Sequence, residues 1–133
     1  MKCLLFLITL AVCLAGCDHH QPSLSSLSDA EIQKKLVGTW REGGHEKYSI
    51  VVVDSNGNFE AQSDPSRNIT DGGTWIIKDR KLIWTYTKSN QTMAPAYLPN
   101  SNRCIIVRLD DRELVMKLED DPEHMAIYQK QMK

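Results

Sequence analysis

The 133-residue sequence predicts an all-β fold. The expected domain is a small antiparallel meander of about eight strands, closed as an up-and-down β-barrel and preceded by a short N-terminal helix. Three observations lead there. From Trp40 onward apolar side chains recur at period two, the spacing that puts them on one face of a strand. The runs are short and separated by turn formers, including Asn56-Gly57, Lys78-Asp79-Arg80, Asp110-Asp111-Arg112 and Asp120-Asp121-Pro122. Their close, regular spacing makes sequence neighbours pair as hairpins, and closure into a barrel removes the exposed sheet edges.

Before the domain lies a leader. Lys2 supplies a positive start, an apolar run follows from Leu4 to Leu14, and small residues end it. The run is shorter than the roughly 20 residues that a membrane-spanning helix needs. Leu14, Ala15, Gly16 and Cys17, in that order, resemble the lipobox of bacterial lipoprotein leaders. The resemblance implies that the Cys17 thiol takes a diacylglyceryl group and becomes the first residue of the mature chain. A cysteine suits this because its thiolate is the nucleophile that forms a thioether. It also implies acylation with chains of the palmitate type, enough for stable anchoring. Asp18 resembles the inner-membrane retention signal of enteric lipoproteins. The expected location is the bacterial cell envelope, on the inner membrane facing the periplasm. The divisions expected are a signal peptide over 1–16, a lipidated tether over 17–27 and a barrel domain over 28–133. The tether segment is polar, without periodicity, and carries His19, His20 and Pro22.

Ser28-Asp29-Ala30-Glu31 fits a capping box, and Ile32, Leu36 and Val37 fall at helical spacing, which predicts a helix from Asp29 to about Val37. Strands are predicted around Trp40 and over 47–54, 58–63, 73–78, 81–88, 103–109, 113–119 and 124–131. The apolar faces expected are Tyr48, Ile50 and Val52; Leu82, Trp84 and Tyr86; Ile105, Val107 and Leu109; Leu114, Met116 and Leu118; and Met125 with Ile127. The break from Ser89 to Asn102 holds Met93-Ala94-Pro95-Ala96-Tyr97-Leu98-Pro99, whose prolines resist strand pairing. Tyr97 and Leu98 are expected there either as a plug across the barrel mouth or as a lid or partner contact.

Loss of Lys2 with the leader leaves 15 basic against 17 acidic side chains, a net charge of −2. The signs are interspersed, which reads as a solvated surface and gives no footprint for nucleic acid. Cys3 and Cys13 also leave with the leader and Cys17 is lipidated, so Cys104 stands alone as a small packed thiol and no internal disulfide is expected. Asp54, Asn56 and Asn58 resemble the opening of a calcium loop, but Phe59 and Pro65 stand where that loop needs glycine and glutamate. His19 and His20 with Asp18 could hold a transition metal only loosely and make a poor enclosed site, and His45 and His124 have no neighbouring ligands at metal-like spacing. No nucleophile has a recognisable base, so neither metal, cofactor nor enzymatic activity is expected.

Gly38-Thr39-Trp40, after a short helix and at the start of the first strand, resembles the glycine-x-tryptophan motif of lipocalins. With Gly73-Thr74-Trp75 and Lys81-Leu82-Ile83-Trp84, it makes the chain similar to small bacterial lipocalin-like lipoproteins. The chain is shorter than that family, lacks its threonine-aspartate-tyrosine motif and ends without its flanking helix. The resemblance implies that Trp40 closes one barrel end beneath an arginine, Arg103 or Arg108. It also implies a small apolar or amphipathic ligand, with Trp84, Tyr86, Tyr97 and Leu98 as the candidate ligand and lid residues. The alternative is an adaptor whose filled barrel binds another envelope protein.

Overall fold

The computed structural model describes residues 23–43, 49–64, 67–91 and 97–132. Leu14, Ala15, Gly16, Cys17, Asp18, His19, His20, His45, Tyr48 and the segment 92–96 lie outside the described residues. Among the described residues no helix is long and apolar enough to cross a membrane.

Among the described residues eight strands form a closed antiparallel barrel in sequence order, preceded by one α-helix. The helix is α1 (Asp29–Leu36), followed by β1 (Gly38–Glu42), β2 (Ile50–Val53), β3 (Asn58–Asp64), β4 (Ile69–Lys78), β5 (Lys81–Ser89), β6 (Asn100–Leu109), β7 (Glu113–Leu118) and β8 (Met125–Lys130). β1 pairs with β8 through Trp40 and Lys130, Arg41 and Gln129, and Glu42 and Tyr128, which completes the ring. The expected helix and the eight expected strands are all present. The break between β5 and β6 is shorter than expected, because β5 runs to Ser89 and β6 begins at Asn100. Order also begins before α1. Leu24–Ser26 form a 3-10 turn and Leu27 is buried in the core, within the stretch read from sequence as tether.

Helix α1 starts as its capping box dictates. The Glu31 amide donates to the Ser28 hydroxyl oxygen at 3.3 Å, and the Ser28 amide donates to the Glu31 carboxylate at 2.7 Å. Ile32 and Leu36 are fully buried, which lays the helix across one end of the barrel. The tight turns at that end share one device, an aspartate that accepts backbone amides. Asp54 accepts from Asn56 and Asn58, and Asp110 from Arg112 and Glu113. Asp29 of α1 accepts from Asp79 and Arg80 at 3.0 Å each, pinning the helix to the β4–β5 turn.

Three expected apolar faces need correction. In β2 the inward residues are Val51 and Val53, while Val52 is 46% exposed. Every residue of Ile50-Val51-Val52-Val53 is apolar, so periodicity cannot set its parity; the pairing of Trp40 with Val51 does. In β6 a bulge between Ile106 and Arg108 inserts Val107, so Cys104, Ile106 and Leu109 face inward and Val107 outward. In β8 Ala126 and Tyr128 pack on the core, leaving Met125 and Ile127 exposed. The faces of β5 and β7, with Leu82, Trp84, Leu114 and Met116 buried, are as expected.

Candidate functional site

The two ends of the barrel differ. At the α1 end, Trp40 is 1% exposed and its indole N–H donates to the Leu36 carbonyl at 2.7 Å, so the ring is locked under the helix C-terminus. The cation above it is Lys130 of β8, with Nζ 5.0 Å from the ring centroid and donating to the Lys35 carbonyl at 2.9 Å. Neither arginine named from the family pattern takes this place. Arg103 is exposed, and Arg108 pairs with Asp110 and Glu113. Gly38 is needed beside this contact. Its φ is +142°, and a Cβ there would lie 2.8 Å from Lys130 Cε. Trp75 fills the same half of the barrel, its indole donating to the Asp54 and Asn58 carbonyls.

At the other end, which receives the β1–β2, β3–β4, β5–β6 and β7–β8 connections, the interior is hollow. A cavity of about 230 Å³ is lined by the apolar Val51, Phe59, Ala61, Trp84, Met116, Leu118 and Ala126 and by Glu42, Tyr86, Asn102, Cys104 and Tyr128, with Lys117 and His124 also contributing. A small side chain, Ala61, and the bend of the β4–β5 bulge around Gly73 leave this end underfilled. Its floor is an aromatic cluster. Phe59 meets Trp84 edge-to-face at 4.8 Å and 72°, and Tyr86 at 5.1 Å and 84°.

The polar groups come from β1 and β8 on one side of the ring and from β5 and β6 on the other. Glu42 and Tyr128 are register partners on the inward face, and the Ser49 hydroxyl donates to Glu42 Oε2. Burial pushes the Tyr86 phenol up to about 12, with help from the charges of Cys104 and Asp71. Burial raises the Tyr128 phenol further, and the negative charge of Glu42 adds to it. The Cys104 thiol is pushed up to about 11 by burial. At neutral pH these groups are uncharged hydrogen-bonding partners, and the thiol is a poor nucleophile.

Of the candidate ligand and lid residues, Trp84 and Tyr86 line the cavity, whereas Tyr97 and Leu98 do not. Tyr97 is 69% exposed, so it does not plug the barrel. Glu42 and Tyr128 were missed in the sequence; the two-residue spacing from Trp40 along β1 could have found Glu42, whereas Tyr128 is placed only by the β1–β8 register. A wider hollow of about 560 Å³ lies on the outer face of β2 to β5, lined by Ile50, Val52, Glu60, Gln62, Thr70 and Lys88. The Glu60–Lys88 ion pair lies in it at 2.8 Å, beside the apolar Ile50 and Val52, and no aromatic residue lines it. The interior cavity is smaller but combines aromatic walls with convergent polar groups, the composition of a ligand site. Among the described residues no three His, Cys, Asp or Glu side chains are grouped to hold a metal ion. In comparisons with protein-family models, curated proteins and solved structures, nothing matches this chain.

Proposed function

We propose that this chain is a membrane-anchored lipoprotein of the bacterial envelope whose lipocalin-like barrel binds a small apolar or amphipathic molecule, and that it is a binding protein rather than an enzyme. The observation that carries the ligand reading is the aromatic-walled cavity at one end of a barrel that is densely filled at the other. The lipobox residues Leu14, Ala15, Gly16 and Cys17 carry the anchoring, and Asp18 favours the inner membrane. The two parts fit together. Residues 24–27 join the barrel beside the β4–β5 turn, where Arg80 donates to the Ser25 carbonyl, so an anchor preceding them belongs at the filled end. The cavity end then points away from the bilayer, toward the aqueous compartment.

Two measurements on the protein in its own membrane test this. Labelled palmitate enters the wild-type chain and is absent from Cys17→Ser; equal labelling of both refutes the anchor. Native mass spectrometry of the extracted protein finds a recurring small molecule bound. A stoichiometric protein partner with no small molecule refutes the carrier and supports an adaptor.

A further inference from the structure

Resting on the ligand-binding reading of the cavity, we infer that its occupant is a small organic cation, an amine on a single ring or short aliphatic body, with the ammonium held by Glu42 and the body against Phe59 and Trp84. Size sets the first limit. A cavity of about 150 Å³ takes benzene, so the roughly 230 Å³ present here suits one ring with a short chain.

Charge sets the second limit. Glu42 follows Trp40 by two residues on β1 and faces Tyr128 across the β1–β8 pair, which places its carboxylate on the inward side. One oxygen receives the Ser49 hydroxyl, and a carboxylate offers about four acceptor sites, so it can take further donors. The aromatic walls act in the same sense, because ring faces carry negative potential that attracts a cation. Tyr86, Tyr128 and Cys104, all uncharged at neutral pH, add no competing positive group. Neither of the two basic lining residues stands on the inward face of a strand. Lys117 sits between the inward-facing Met116 and Leu118 and opposite Ile105, and His124 is exposed in the β7–β8 turn. Lys117 therefore leaves its strand on the side away from the Met116 and Leu118 side chains, where solvent and salt screen its charge.

The test uses three probes of nearly equal size and different charge: phenethylamine, 2-phenylethanol and 3-phenylpropionate. Each is titrated at pH 7 into the full-length protein in detergent, with micelle-only blanks, following tryptophan fluorescence. The expected order is amine, then alcohol, then carboxylate, with the amine at least about tenfold tighter than the alcohol. Glu42→Gln closes the gap between amine and alcohol. If alcohol or carboxylate binds as tightly as the amine, or if Glu42→Gln keeps the amine preference, the cation assignment falls while the ligand-binding reading stands. If none of the three binds, both fall. The wild-type ranking decides the matter even where the variant fails to fold.

Discussion

Replacing Lys130 with methionine keeps an unbranched apolar stem over Gly38 and Trp40 and removes only the ammonium. Three favourable contacts are lost. The hydrogen bond to the Lys35 carbonyl at 2.9 Å is of the charged class, worth about 1.5–3 kcal/mol. The ammonium 5.0 Å from the Trp40 centroid is worth about 0.5–1 kcal/mol or somewhat more when desolvated. A cation at the C-terminal turn of α1 contributes roughly 0.3–1 kcal/mol. Burial opposes the charge and lowers the pKa of Lys130, a cost that Asp111 only partly offsets and that the neighbouring Lys35 adds to. The net loss expected is therefore about 1–3 kcal/mol, below the plain sum. In a domain of this size it lowers the thermal midpoint by roughly 5–15 °C. Lys88→Met is the control, because its pair with Glu60 is exposed on both sides and should cost no more than about 1 kcal/mol. Urea unfolding followed by circular dichroism and tryptophan fluorescence reads both. If Lys130→Met is no more destabilising than Lys88→Met, the barrel end is not closed by this lysine.

The packing around Gly73 and Cys104 gives two further expected outcomes. A Cβ on Gly73 would stand 1.9 Å from the Thr85 carbonyl oxygen and 3.0 Å from the Thr87 amide nitrogen, both backbone atoms that cannot swing aside. Gly73→Ala should cost about 3 kcal/mol or more, whereas Gly43→Ala, with its nearest atom at 3.6 Å, should cost less than about 1 kcal/mol; equal midpoints in urea would refute the bulge geometry. The Cys104 thiol, raised to about 11 by burial, should react with an alkylating reagent at pH 8 about a hundredfold more slowly in the folded protein than in the denatured one. Its rate should climb as pH rises toward 11. Mass analysis of the peptide carrying Cys104 measures this, and equal folded and denatured rates would contradict the buried placement.

The barrel was legible because its determinants are local. Turn chemistry such as Asn56-Gly57, Asp79-Arg80 and Asp110-Asp111 fixes strand ends, and the Ser28–Glu31 box fixes where α1 starts. What was not legible depends on pairing across the ring. The all-apolar β2 has no parity of its own, the extra Val107 in β6 shifts the inward face by one, and in β8 the greasier Met125 and Ile127 lie outside while Tyr128 lies inside. The same applies to the site. Trp84 and Tyr86 stand out on β5, but Glu42, which Ser49 meets locally, joins Tyr128 only when β1 closes on β8. Lys130 lies 90 residues beyond Trp40 and carries no signal until that seam forms. The motif around Trp40 suggested an arginine, and the register supplied a lysine.

The most direct measurement is amide chemical-shift mapping of the isotopically labelled protein titrated with 2-phenylethanol, a neutral probe that depends on the hollow and not on its charge. Saturable shifts concentrated at Val51, Phe59, Trp84, Met116 and Tyr128 are predicted, because these residues wall the interior cavity. Shifts concentrated instead at Ile50, Val52 and Lys88 on the outer face, or no saturable shift at all, would contradict an internal ligand site.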